Sequence, residues 1–194
     1  MAEKYDHLTE QHQRFIDAQK IFFVGTAAAE GLINISPKGL ESLKIINKNQ
    51  IVWLNLTGSG NETAAHTQEN PRMTLMFNSF EKNPLILRVY GMARTIHHLD
   101  PEWDSLISLF PKSEASRQIF DLSVSLVQTS CGYGVPYYEF KRERSTLKKW
   151  NETKGEEGIK KYWEENNTQS LDGIKTRHSA KKYWRKVRRN FLLY

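Results

Sequence analysis

Six runs of β-branched and aromatic residues, at 21–26, 32–36, 43–46, 50–56, 72–77 and 85–96, are joined by links as short as AAAEG and NKN. Parallel neighbours need crossovers of about a dozen residues or more, so such links force antiparallel pairing in a meander that is closed or nearly so. With 194 residues, 39% of them hydrophobic, the chain fills one such core and has too little left for a second catalytic domain. Helices flank the strands. Thr9 is placed to cap a first helix to about Gln19, with Phe15 and Ile16 facing inward. Asp100 and Pro101 read as the start of another, with Trp103, Leu106, Ile107 and Phe110 on one face. A short helix is expected from Ser113 to Asp121, then a strand in which Leu122, Val124 and Leu126 alternate, and Tyr137 to Lys141 reads as continuing the sheet. From Ser145 the composition turns charged and helical, anchored by Leu147, Trp150, Ile159, Tyr162 and Trp163, with 151–158 as a loose connection.

The net charge of +6 is unevenly spread. Residues 175–194 carry eight Lys and Arg and no acid, which leaves a body of charge −2 and argues against a nucleic-acid partner. Trp184, Val187 and Phe191 at helical spacing suit a solvated or dimer-facing helix for this tail. A polar N-terminal stretch and no apolar run near the roughly 20 residues of a membrane span make a soluble, cytoplasmic protein the expectation. Cys131 is the single cysteine, so an intrachain disulfide is excluded; a small buried hydrophobe is the expected role. His66, His97 and His98 lack a ligand pattern, and no metal is expected.

Between the fourth and fifth runs lies TGSGNETAAH, 57–66. Ser59 and Glu62 have the spacing of a capping box, while Gly58 and Gly60 before a helix start also offer unpaired N–H groups to an anion, with Thr57, Ser59, Asn61 and Thr63 as side-chain donors. Both readings can hold together. No Lys follows the glycines as a Walker loop requires, and the third glycine and βαβ setting of a Rossmann turn are missing. Lys38, in SPKG, sits between a strand and a glycine turn, where an ammonium can reach a phosphate or an electron-rich ring carbonyl.

The order of elements, with SPKG, the strand–TGSGNETAAH–ENPR–strand unit and LRVYGMAR, resembles the pyridoxamine 5′-phosphate oxidase-like, FMN-binding split-barrel superfamily over about residues 10 to 150. The resemblance implies an antiparallel six-stranded Greek-key split barrel, mainly β with flanking helices. It also implies a homodimer with FMN in a groove between subunits. The split-barrel domain would span 1–150, and 151–194 would be a helical basic extension packed on the barrel or on the dimer partner. Lys38, with Ser36 beside it, matches the lysine-glycine turn by the flavin. Trp53, Leu54, Asn55, Leu56 and Thr57 match the strand flanking it, and Ser59, Gly60, Asn61 and Thr63 the phosphate loop. Arg72 and Arg88 are further candidate cations for the phosphate.

Two departures bear on activity. Asn61, Glu62 and Thr63 fall where true oxidases carry Ser, Arg and Lys, and Arg144, Ser145 and Thr146 fall where they carry an Arg-x-His motif that grips the vitamer. The implied function is therefore an FMN-dependent oxidoreductase of unassigned substrate, with Arg144 as an anion-holding candidate, and not a true pyridoxamine phosphate oxidase. The alternative is a non-enzymatic flavin carrier or ligand-binding split barrel.

Overall fold

The computed structural model describes residues 2–176, so Trp184, Val187 and Phe191 lie outside the described residues. The chain runs β1 (Glu3–Tyr5), α1 (Glu10–Ala18), β2 (Phe22–Thr26), β3 (Asn34–Lys38), β4 (Leu43–Asn47), β5 (Gln50–Leu56), α2 (Glu62–Glu69), β6 (Arg72–Asn78), β7 (Ile86–Ile96), α3 (Trp103–Ile107), β8 (Ser116–Ser130) and α4 (Thr146–Asn166). All eight strands join one antiparallel sheet in the order β3-β2-β6-β7-β8-β5-β4, with β1 on the far end of β8. Eight strands thus stand where six were expected, and their pairings form one open path.

That path curls strongly. β3 and β5 are far apart in the order, yet Lys38 Nζ donates to Asn55 Oδ1 at 3.4 Å. Phe22 of β2 meets Trp53 of β5 at 6.2 Å between ring centroids, and Trp53 Nε1 reaches Met73 Sδ of β6 at 3.5 Å. The enclosed face carries Phe22, Val24, Ile51, Trp53, Leu75, Phe77, Leu87, Val89, Phe120 and Leu122. β5 is buried on both faces, because Val52 and Leu54 point the other way, into a second cluster with Ile96, Trp103, Phe110 and Ile119 under α3. The long pair β7 and β8 is bent by a register shift at Tyr90/Gly91, where a Cβ on Gly91 would stand 2.0 Å from the Ser123 carbonyl oxygen.

Several expectations are corrected. Residues 116–121 are strand where a helix was expected. Arg117, Gln118 and Asp121 are buried polar residues there, and their polarity mimicked the outer face of a helix. Tyr137 to Lys141 form no strand, α3 starts at Trp103 after a turn, and residues 151–158 belong to α4, which breaks at Gly155 (φ 63°). Cys131 is exposed rather than buried. The Thr9 cap is present, its hydroxyl accepting from the His12 N–H. Lys38 is the last residue of edge strand β3, with Pro37 exposed beside it. The turn that follows holds two non-glycine residues in the left-handed region, Leu40 (φ 59°) and Glu41 (φ 54°), closed by Ser42 N–H to the Gly39 carbonyl at 3.3 Å. Among the described residues no helix is long and apolar enough to cross a membrane.

Candidate functional site

The inward face of β3 is polar. Asn34, Ser36 and Lys38 alternate with exposed Ile35 and Pro37, as the two-residue period of a strand requires. Asn34 Nδ2 donates to Thr63 Oγ1 of α2 at 3.2 Å, and the Ser36 hydroxyl is buried without a partner among the described residues. Lys38 reaches across to Asn55, with its ammonium 5.4 Å from the centre of the Trp53 ring.

From Asn55 a buried hydrogen-bond chain runs to the 57–61 loop. Asn55 Nδ2 donates to Gln118 Oε1 at 3.0 Å, and Gln118 Nε2 donates to Asn61 Oδ1 at 3.0 Å. Asn61 Nδ2 in turn donates to the Asn167 carbonyl at 3.0 Å. Arg117, 2% exposed, joins this chain by Nε to Gln118 Oε1 at 3.1 Å and by Nη1 to Asn167 Oδ1 at 2.5 Å and the Gly58 carbonyl at 3.4 Å. Among the described residues no carboxylate pairs with Lys38 or Arg117. Both cations therefore lose hydration, and their hydrogen bonds run to neutral acceptors, with the Glu62 charge acting on Arg117 from farther off. Burial, and secondarily the charge of Arg117, lowers the Lys38 ammonium to about 8, and burial lowers Arg117 to about 10.

The capping box is not formed. Asn61 is the N-cap of α2 without a side-chain cap bond, Ser59 is exposed, and Glu62 Oε2 accepts from the Leu171 N–H at 2.9 Å. Gly60 lies outside the left-handed region, and the space its Cβ would take is held by Glu62 Oε1 at 2.6 Å. Thr57 is a frame residue: its hydroxyl donates to the Ala115 carbonyl at 3.0 Å and accepts from Trp163 Nε1 at 2.8 Å.

The structure thus gathers Ser36, Lys38, Asn55, Asn61 and Thr63, with Ser59 and Gly60 on the exposed loop. Trp53 and Leu54 are packed in the two apolar clusters, and Leu56 is half-buried beside the second. Arg72 and Arg88 are not brought to the loop. Arg72 is exposed and donates to Asn70 Oδ1, while Arg88 donates to Ser130 Oγ, alternating with core residues Leu87 and Val89. Arg144 is exposed on the rim of a groove of about 1300 Å³, walled by Phe23, Phe80, Tyr138 and Trp150 and reached by Lys38. Arg117, Gln118 and Asn167 were missed by the sequence reading. The signal present was a polar Arg-Gln pair in front of an apolar β run. Among the described residues no three His, Cys, Asp or Glu side chains form a metal cluster.

The fold is a curled antiparallel sheet with flanking helices, in which a glycine loop leads into a helix beside half-buried Lys38 and buried Arg117. The chain belongs to the pyridoxamine 5′-phosphate oxidase family, whose model matches residues 8–131. It is 32% identical over 196 aligned positions to the pyridoxamine 5′-phosphate oxidase family protein ustO of Aspergillus flavus, covering 91% of this chain and 78% of the relative. Its fold resembles that of HupZ from Group A Streptococcus, with a TM-score of 0.52 and 16% identity over 63% of this chain and 98% of that one. A Lactobacillus delbrueckii protein described as a candidate pyridoxamine 5′-phosphate oxidase gives a TM-score of 0.51 and 18% identity, over 63% and 94% of the two chains.

Proposed function

We propose that this chain is an FMN-binding flavoprotein of the split-barrel type, acting as a homodimeric oxidoreductase on a substrate other than pyridoxamine phosphate. The observation that carries the reading is a pair of cations, half-buried Lys38 and buried Arg117, whose hydrogen bonds run to neutral acceptors. Such charges fit an anionic, electron-rich group, and the unpartnered Ser36 hydroxyl adds a donor beside them. Ser36, Lys38, Asn61 and Thr63 would hold the cofactor, Lys38 toward its ring and the 57–63 loop toward its phosphate. When bound, FMN supplies hydride and electron transfer.

The chain's own residues do the rest. Lys38 would keep positive charge near the electron-rich ring of a bound flavin, favouring its reduced form. The Asn55, Gln118 and Asn61 amides hold both cations in register without neutralising them. The aromatic groove keeps water away from a bulky apolar substrate, and Arg144 on its rim suits an anionic substituent.

Dimerisation is supported by exposed Ile33 just before β3, Ile35 of β3 and Met92 of β7, at 76%, 69% and 51%, which share with Met76 and Tyr90 a largely apolar surface rimmed by Asn70 and Arg72. A single cysteine suits a reducing, cytoplasmic setting. A flavin carrier is the second reading, favoured because the carboxylates lining the groove, Glu81, Glu139 and Glu143, are all exposed.

The test is the absorbance spectrum of the purified full-length chain with added FMN. Flavin bands that stay with the protein and bleach on adding a reductant support the proposal; colourless protein that takes up no FMN defeats it. Oxidation of a bulky aromatic substrate under air, against none, then separates enzyme from carrier.

A further inference from the structure

We propose that the strap 133–145 and the first turn of α4 that follows it form a docking surface for an anionic lipid bilayer, through Tyr133, Tyr137, Lys141, Lys148 and Lys149. This goes beyond the flavin reading and does not depend on it.

The strap leaves β8 at a fixed point. Gly132 is buried at φ 66°, and an added Cβ there would stand 2.9 Å from the Leu85 backbone nitrogen. Beyond it, residues 133–145 hold neither helix nor strand, and 136–146 are all exposed. Tyr138 ties the strap to the barrel: its N–H donates to the Phe80 carbonyl at 3.2 Å, and the two rings meet edge-on at 5.4 Å between centroids. Tyr133 and Tyr137 are placed differently. They are 82% and 75% exposed, and neither lines the groove behind the strap. Clustered rings left in water mark a surface that something else covers.

The charges sort in the same way. Residues 133–150 carry five Lys and Arg against two acids, within a body of net charge −2. Both acids, Glu139 and Glu143, line the groove together with Arg142 and Arg144. Lys141, Lys148 and Lys149 are exposed outside it and hold no ion pair among the described residues. The outer surface of this stretch therefore offers phenol rings and ammonium groups without a carboxylate, until Glu152 on α4. That chemistry fits a lipid headgroup layer. A tyrosine ring lies at the headgroup level with its hydroxyl in water, lysine stems lie along apolar surface with the ammonium outside, and each ammonium is drawn to anionic lipid. A nucleic acid asks instead for a cationic track along its phosphates, which an acidic body does not provide. The apolar sheet face assigned to the dimer is lined by other residues. Because the remaining side chains of the strap wall the aromatic groove, docking sets the rim of that groove against the bilayer.

The experiment is flotation of the full-length chain with vesicles of equal parts phosphatidylcholine and phosphatidylserine, and with vesicles of phosphatidylcholine alone. The wild type should float with the mixed vesicles and stay behind with the neutral ones. Tyr133→Ser/Tyr137→Ser and Lys141→Gln/Lys148→Gln/Lys149→Gln should each weaken partitioning about tenfold or more. Their melting temperatures should match that of the wild type, because all five side chains are exposed. The basic residues 175–194 are kept in every variant, so binding through them alone would leave the variants equal to the wild type. Such equality overturns the proposal, as does a wild type that ignores the mixed vesicles. If vesicles are ignored and the same substitutions weaken single-stranded RNA binding or the dimer, the surface belongs to a nucleic acid or to a second copy and the lipid assignment falls. No flavin enters the assay, so its failure leaves the flavin reading standing.

Discussion

Two adjacent layers of the same strand pair carry opposite chemistry. Trp53 of β5 lies opposite Phe120 of β8, and their rings stack at 4.5 Å between centroids with 18° between planes. Two residues on, the same inward face presents Asn55 opposite Gln118, joined by a 3.0 Å hydrogen bond and leading to Lys38 and Arg117. The backbone geometry is shared, so the difference is chemical. The first layer stabilises the fold by dry burial and stacking. The second carries the desolvation cost of two cations that no carboxylate pairs with among the described residues. Mutations in the two layers should therefore move stability in opposite directions, and only the second should alter ligand binding directly.

The largest effect should come from the apolar layer. Trp53→Ala removes a fully buried indole and should cost about 3–5 kcal/mol in urea unfolding. A loss under about 1 kcal/mol would mean the layer collapses freely and the contrast is weak.

The pH dependence of stability comes next. Lys38 has a lowered folded value, about 8 against an unfolded value of 10.5, so between those values the unfolded chain binds more protons. Ligand-free stability should then rise as pH increases from about 8 to 10.5, by about 3 kcal/mol, and the rise should be missing in Lys38→Met. FMN affinity should fall over the same window, because the neutral amine no longer attracts the anion. A wild-type stability curve parallel to that of Lys38→Met would remove Lys38 from the polar layer's account.

At pH 7 the same substitution, Lys38→Met, should leave stability unchanged or raise it by about 1 kcal/mol while weakening FMN about tenfold or more. A strongly destabilised variant would show that Lys38 supports the fold, and would break the comparison. The smallest effect is reserved for the turn that sets Lys38. Glu41→Gly relieves a left-handed residue and should stabilise by about 0.5–1 kcal/mol, measured as a rise in melting temperature.

The same contrast explains what could be read from the sequence. The apolar layer was legible, since β-branched and aromatic runs with short links define antiparallel strands before any coordinate is known. Lys38, Asn61 and Thr63 were singled out by glycine-marked turns and Asn55 by the family resemblance, and the structure brings the four together. Arg117 and Gln118 were not singled out. A strand whose polar residues are buried loses the alternation by which strands are recognised, and 116–121 imitated a helix for that reason. Asn167 was invisible for a different reason: it is 106 residues from Asn61 along the chain and carries no local motif. Arg72 and Arg88 were favoured for their charge and strand position, which say nothing of which way a curled sheet turns them.

The most direct measurement is a titration of the full-length chain with FMN at pH 7, followed by flavin fluorescence, for the wild type beside Lys38→Met. The account predicts saturable binding by the wild type and affinity weaker by about tenfold or more in a variant that remains as stable. Wild-type protein that leaves FMN fluorescence untouched, or a variant that binds it equally well, would contradict the claim that the polar layer exists to hold an anion.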